Sequence, residues 1–183
     1  VLILTINRPE VRNAVNAAVH VGIGTALETA ENDPEIRAVV ITGAGDASIT
    51  LDGPSETTTF NNSAGISTAN ADITITDNVV LASGATVILD TGTGAGNISI
   101  TGTINGAGGT ENLTLISGGG TTTVTGAIGA TLLETLVLQE DASSSTGAVA
   151  LNGSVTVTTL TTFGRGYAVS LTGAANVIAG TTT

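Results

Sequence analysis

A chain of 183 residues with a formal net charge of −11, no cysteine and only 2% aromatic residues excludes several classes of protein. Four arginines without any lysine supply no basic surface for nucleic acid, and an anionic membrane would repel the acidic excess. The lack of cysteine excludes disulfides, thiolate metal sites and a cysteine nucleophile.

The hydrophobic residues constrain the core and the membrane topology. Because tryptophan and methionine are absent, a core must consist of Val, Ile, Leu and Ala, which suit thin layers of stacked strands. No apolar run approaches the roughly 20 residues that span a bilayer. The first residues lack the basic region and cleavage site of a signal peptide. We therefore expect no membrane span, and the absence of a visible signal peptide fits either a mature chain or a fragment of a longer one.

The first 46 residues read as strand, helix and strand. Val1 to Ile6 is a short apolar run, followed by a turn at Asn7 to Glu10. Apolar residues recur with helical spacing from Val11 to Glu31. Ala38 to Thr42 predicts a second buried strand, and Gly43 to Asp46 a tight turn. This order predicts a right-handed β-α-β unit.

The same stretch resembles the start of the crotonase (enoyl-CoA hydratase/isomerase) family. The matching text is LTINRPEVRNAVN from Leu4 and ALETAENDPEIRAVVITGAGD from Ala26. The resemblance implies that Arg8, Arg12 and Asn13 lie near a CoA-binding edge. It also implies an FCAGADL-type oxyanion motif next, where this chain reads ASITLDG (47–53). Because that motif and the later catalytic segments are missing, we expect no enzyme and assign no catalytic or cofactor-binding residue.

Residues 47–183 form a second region of short alternating runs separated by Gly, Asn, Ser and Thr. The predicted strands lie at 73–76, 85–90, 97–101, 112–116, 121–125, 135–138, 148–151, 155–157 and 168–171. Alternation with period two indicates one buried and one solvated face. A phrase of the form apolar–polar–apolar–polar–Gly recurs around Gly102, Gly126, Gly153 and Gly173, at spacings of 24, 27 and 20 residues.

Repeats of this length with β-character predict a mainly β fold, a right-handed parallel β-helix (solenoid) with one repeat per turn. The β-α-β segment at residues 1–46 would be a cap or a fusion. The alternative is an antiparallel β-sandwich, because turn signals every 8–12 residues also suit that fold.

Residues 47–183 also resemble the repeat regions of large secreted bacterial adhesins of the filamentous-haemagglutinin type. The text that carries this resemblance runs from Ile88 to Thr131 and continues in AVALNGSVTVTT and AVSLTGAANV. It implies a non-enzymatic structural or adhesive module, extracellular or on the bacterial surface, with possible glycan or cell-surface contacts. Alternatives are an acyl-CoA-binding crotonase fragment, which would place the chain in the cytoplasm, and an ice- or glycan-binding solenoid. Unpaired edges at the coil ends predict self-association.

Four candidate sites lie outside the resemblances, and we assign a function to none of them. Calcium would need Asp52, Asp72, Asp77, Asp90 and Asp141 to converge, so we expect no metal site and no cofactor. Ice binding would need the Thr-x-Thr pairs in register, which the uneven spacing argues against; the pairs are Thr74/Thr76, Thr91/Thr93, Thr101/Thr103, Thr123/Thr125 and Thr156/Thr158. The segment Phe163 to Tyr167 resembles a loop insertion, and His20 is a lone histidine.

Overall fold

The computed structural model describes residues 2–8, 15–34, 36, 39–43, 48–53 and 57–182. Within them, helix α1 spans Ala17–Asn32. The strands are β1 Leu2–Ile6, β2 Val39–Gly43, β3 Ile49–Leu51, β4 Thr57–Phe60, β5 Ala64–Ser67, β6 Ile73–Ile75, β7 Asn78–Leu81, β8 Thr86–Asp90, β9 Ile98–Ile100, β10 Ile104–Gly106, β11 Asn112–Ile116, β12 Thr122–Val124, β13 Ile128–Leu138, β14 Val149–Leu151, β15 Val155–Thr161, β16 Val169–Leu171 and β17 Val177–Ile178.

These strands wind into a parallel β-solenoid of about five turns with three faces. The first face contains β1, β2, β5, β8, β11 and the C-terminal parts of β13 and β15. The second face contains β3, β6, β9, β12, β14 and β16. The third contains β4, β7, β10, the N-terminal parts of β13 and β15, and β17. Strands β13 and β15 turn the corner between the third and first faces, which joins those faces into one sheet.

Every strand pair among the described residues is parallel. Each interior strand pairs with strands one turn earlier and one turn later, with one register irregularity between β13 and β15. The prediction of a parallel solenoid is confirmed. The sandwich alternative is wrong, because the short turns connect different faces instead of folding the chain back into hairpins.

The core is a narrow stack of aliphatic side chains. On the second face Ile75, Ile100, Val124 and Leu151 occupy the same inward position on successive turns and are at most 1% exposed. On the first face Val87 and Leu113 stack in the same way. Because each turn buries its inner side chains against its neighbours, the turns stabilise one another.

The β-α-β unit joins the solenoid through a shared sheet. Strands β1 and β2 are parallel and α1 connects them, as predicted. Strand β2 also pairs with β5, placing Val40 beside Gly65 and Ile41 beside Ile66. The first turn of the solenoid therefore begins with a strand from the crotonase-like segment. The division into domains at residues 46 and 47 stays a prediction.

Helix α1 begins later than predicted. Asn16 caps it, with its Oδ1 accepting a hydrogen bond from the N–H of Val19 at 2.9 Å. Residues 11–14, where the sequence predicts the first turn of this helix, lie outside the described residues, as does the predicted turn from Ala44 to Asp46. No residue of α1 is buried, and Val21 is 65% exposed. The helix is thus only lightly packed.

Candidate contact surface on the second face

The second face carries a row of small side chains that point outward. These are the middle residues of its strands, and they pair in register from β3 to β16. Column one, as we name this row, consists of Thr50, Thr74, Ser99, Thr123, Ala150 and Ser170. On β6 the neighbours Ile73 and Ile75 are fully buried, so alternation turns the middle residue outward.

A second row lies two residues later on each turn. Column two consists of Asp52, Thr76, Thr101, Thr125, Asn152 and Thr172, all of them exposed. The N–H of Thr101 donates to the carbonyl of Ile75, and that of Thr125 to the carbonyl of Ile100, so the register continues beyond the strands. We name the two columns together the hydroxyl array.

The array has a regular spacing because the backbone imposes it. Parallel pairing separates successive turns by about 4.8 Å, and two residues along a strand span about 6.6 Å. Hydroxyl groups both donate and accept hydrogen bonds. At the end of column two Thr76 Oγ1 donates to Asp52 Oδ1 at 2.8 Å. The array can therefore meet a hydrogen-bonding partner that repeats along the solenoid axis.

The second face keeps its register despite the uneven repeat spacing. The expectation that the five Thr-x-Thr pairs do not fall in register on one face nevertheless agrees with the structure, since two of the five lie there as pairs. Changes in repeat length fall outside the second face: β13 has 11 residues and β15 has 7, and the loops 139–148 and 162–168 differ as well. The strands β12, β14 and β16 keep their register across these changes. Loops absorb the extra residues because only the strands are held by pairing.

The structure brings together some of the predicted threonine pairs and separates others. Thr74/Thr76 and Thr123/Thr125 lie in the array, whereas Thr91 is buried. Thr101 lies in column two, and the remaining members fall outside the array: Thr93, Thr103, Thr156 and Thr158. Ser99 and Ser170 were missed as array members, although the repeated phrase places both at the position of Thr123. The phrase was thus a better guide to register than the Thr-x-Thr spacing.

A column of glycines follows the array at the next corner. A Cβ on Gly126 would collide with the backbone of Gly102, one on Gly153 with Gly126, and one on Gly173 with Gly153. Asp77 holds this place one turn before Gly102. Successive turns approach so closely here that glycine is required, which explains why it recurs in the repeated phrase.

The five aspartates considered for calcium do not converge. Asp77 is 5% exposed and accepts hydrogen bonds from the N–H of Gly53 at 3.1 Å and from Thr58 Oγ1 at 3.0 Å. Asp72 accepts from Asn97 N, and Asp90 from Gly92 N, each at 2.7 Å. The part of the chain that the structure describes contains no group of three His, Cys, Asp or Glu side chains able to hold a metal.

Glu111 is a buried carboxylate that closes its own turn. Its oxygens accept hydrogen bonds from the N–H groups of Gly108 and Gly109 at 2.8 Å and of Thr110 at 3.1 Å. Burial by itself would raise the pKa of Glu111, but these backbone donors outweigh burial and hold its pKa below the ordinary value of 4.5. All of its donors lie in its own loop, which makes it a structural acceptor.

Gln139 forms a second buried polar cluster, which the sequence did not reveal. It is fully buried in the left-handed region, with φ of 66°. Its Oε1 accepts from the N–H groups of Ser117 and Gly118, both at 3.0 Å. Its Nε2 donates to Ser117 Oγ at 3.1 Å and to the Gly147 carbonyl at 3.0 Å. Gln139 therefore ties the loops of two successive turns together.

The segment from Phe163 to Tyr167 is a brace between turns. Tyr167 Oη accepts from Phe163 N at 2.6 Å and donates to the Leu138 carbonyl at 3.0 Å. Arg165 Nε donates to Asp141 Oδ1 at 2.7 Å, and the two side chains are 38% and 66% exposed, respectively. His20 lies exposed on α1.

A groove of about 430 Å³ lies between β1 and α1. Leu4, Val19 and Ile23 are among its lining residues, and Arg8 is half-buried at its edge. Arg12 and Asn13, the other residues that the family resemblance places near a CoA-binding edge, lie outside the described residues. The groove is the place where that part of the prediction can be tested.

Comparisons with known proteins find similarity in the N-terminal region. Residues 1–51 match the family described as Enoyl-CoA hydratase/isomerase. Over 47 residues the chain is 45% identical to a probable enoyl-CoA hydratase of Mycobacterium tuberculosis, in two strains. The alignment covers 26% of this chain and 18% of the relative, so the chain spans less than a fifth of the length of these curated relatives. No solved structure matches the chain significantly.

These findings correct the expectation that the chain is not an enzyme. The N-terminal match points towards enzymes, so the missing FCAGADL-type motif was not sufficient ground for that conclusion. A match confined to residues 1–51 leaves the catalytic status undetermined. The resemblance of the repeats to adhesins stays a prediction. Among the described residues no helix is long and apolar enough to cross a membrane.

Proposed function

We propose that the chain is an adhesive β-solenoid module of a bacterial surface or secreted protein and that the hydroxyl array is its contact surface. The observation that carries the proposal is the register of column one over six strands. A stiff scaffold with similar contacts on most successive turns suits a repetitive partner, because the first contact places the others within reach.

The chemistry of the array favours a polysaccharide as that partner. Hydroxyl, amide and carboxylate groups in the two columns supply both donors and acceptors for sugar hydroxyls. The aromatic residues Phe60, Phe163 and Tyr167 are outside the array, so binding would depend on hydrogen bonds instead of ring stacking. An ordered ice surface is the alternative partner of the hydroxyl array.

The test is retention of the chain on insoluble polysaccharides, with thermal hysteresis measured in parallel. The triple variant Thr101→Val, Thr123→Val, Thr125→Val removes three hydroxyls with little change of shape. Each lost hydrogen bond costs about 0.5–1.5 kcal/mol, so affinity should fall more than tenfold.

The matched control places the same changes on the first face, as Thr86→Val, Thr114→Val, Thr135→Val. Thr86 and Thr135 each pair with Asn112, and Thr114 pairs with Ile88 and Val137. All three threonines lie outside the array, so retention should be unchanged. Thermal hysteresis without retention on polysaccharide would identify ice as the partner of the hydroxyl array. If the parent chain shows neither effect, the array is not a contact surface.

A second candidate is acyl-CoA binding, which the N-terminal match to enoyl-CoA hydratases favours. The groove between β1 and α1 is the proposed location, with Arg8 at its edge as the contact for an anionic group. Calorimetric titration with CoA and an assay of short enoyl-CoA hydration test it. Arg8→Ala should weaken any CoA binding; no binding by the parent chain would eliminate this candidate.

A further inference from the structure

A groove of about 410 Å³ lies on the outer surface of the first face, over strand β5. Strand β5 carries Gly65 where its neighbours β2 and β8 carry Val40 and Ile88, which pair with it in register. Because Gly65 has no side chain, the backbone of β5 forms the floor and the two apolar side chains form the walls. We name this feature the first-face groove. It shares no described lining residue with the groove between β1 and α1.

The middle of the first-face groove is apolar and its ends are polar. Ile88 lies at the centre of β8 and is 42% exposed, so a large apolar side chain is left in contact with water. Ser63 and Thr86 line one end, and Ser67 and Asp90 line the other. Since four residues of extended chain separate Ser63 from Ser67, the groove is about 13 Å long. A narrow groove of this shape suits an unbranched aliphatic chain.

Asp90 gives one end of the groove a negative charge. It is the one charged residue among the described residues that line the groove, and it is half-buried. Its Oδ1 accepts a hydrogen bond from the N–H of Gly92 at 2.7 Å. This bond orients the carboxylate and uses one of the roughly four acceptor positions that an ionised carboxylate offers. A cationic donor at this end would therefore gain a charge-assisted hydrogen bond, and the net charge of −11 acts in the same direction.

We propose that the first-face groove is a binding site for a small unbranched amphiphile with a cationic amine at one end. The aliphatic chain lies over Gly65, between Val40 and Ile88, and removes apolar surface from water. The amine donates a hydrogen bond to the carboxylate of Asp90. An amphiphile with an anionic head group binds less tightly, because the same carboxylate repels it. The site does not depend on the hydroxyl array or on the proposed function.

Calorimetric titration of the full chain with n-octylamine, n-octanol and octanoate, each below its aggregation concentration, tests the head-group preference. The parent chain should bind n-octylamine at one saturable site, n-octanol at least about tenfold more weakly, and octanoate more weakly still. Asp90→Asn should lower the affinity for n-octylamine to that for n-octanol, because the charged acceptor is lost. Glu134→Gln removes the same charge from an exposed position on β13. This control should leave the affinity for n-octylamine unchanged.

A second pair of variants tests the apolar part of the site. Ile88→Thr shortens one wall and keeps a β-branched residue in the strand. The affinities for n-octylamine and n-octanol should both fall by at least about threefold. Val137→Thr is the matched control, because Val137 lies in the same row as Ile88, two strands further along and outside the groove. It should change neither affinity.

The outcomes separate a built site from the general attraction of a cation to an acidic protein. Loss of the amine preference in Asp90→Asn, with weaker binding of both probes in Ile88→Thr, supports the proposed geometry. A parent chain that shows no saturable binding of n-octylamine overturns the proposal. Octanoate binding as tight as that of n-octylamine overturns it as well. Binding of n-octylamine that neither variant weakens would indicate general charge attraction and would also overturn it.

Discussion

Replacement of Gln139 by alanine should destabilise the solenoid strongly through unpaired backbone groups. The parent side chain is fully buried and accepts from two N–H groups, those of Ser117 and Gly118, each at 3.0 Å. Gln139→Ala leaves both donors without an acceptor inside the protein. It also removes the hydrogen bond to the Gly147 carbonyl.

The size of the effect follows from those two donors. An unpaired buried donor costs about 1–3 kcal/mol, so two of them cost roughly 2–6 kcal/mol before relaxation. Water that enters the vacated space can replace part of the loss, and we expect a fall of about 3 kcal/mol in the free energy of unfolding. This is more than a typical surface substitution changes.

Urea unfolding followed by circular dichroism measures the change, and hydrogen exchange at Ser117 and Gly118 locates it. Repeat proteins can unfold in parts, so the exchange data show whether the loss is local to these two loops. Ser144→Ala is the control in the same region, because Ser144 contributes its backbone carbonyl to Thr146; it should change stability by less than about 0.5 kcal/mol. A loss below about 1 kcal/mol for Gln139→Ala, with unchanged exchange, would refute the reasoning.

Three further predictions concern the corner glycines, the buried carboxylate and the surface ion pair. Gly126→Val should prevent the turns from closing on Gly102 and cost more than about 3 kcal/mol; native-like thermal unfolding would contradict this. Glu111 has a lowered pKa, so the stability it contributes is present above pH 4.5 and is lost as the pH falls through its folded-state pKa. Glu111→Gln should therefore flatten that part of the dependence of the free energy of unfolding on pH, as measured by urea titrations. Arg165→Ala breaks the exposed pair with Asp141 and should cost less than about 1 kcal/mol, which a shift of several degrees in Tm would disprove.

The strands that sequence reasoning located are those with a clear alternation of apolar and polar residues. The predicted strands 97–101 and 112–116 match β9 and β11 closely. Six strands were missed: β3, β4, β5, β7, β10 and β17. Of these, β4 and β10 each have a single large apolar residue. Pairing with a strand already in place gives such segments their structure, and a local pattern does not contain that information.

Which residues form the candidate contact surface depends more on the register between strands than on the composition of the chain. The sequence by itself determined the period of two, the recurrent corner glycine and the narrow aliphatic core, because each of these follows from local chemistry. Only the tertiary structure decided that Ser99, Thr123 and Ser170 share one column. The repeated phrase aligns these three residues, but their stacking on one face, the pairing of β2 with β5 and the contact of Gln139 with Ser117 come from the tertiary structure. The physical reason is that pairing between turns fixes the strands while loops of different length absorb the irregular repeat, and this division is not visible along the chain.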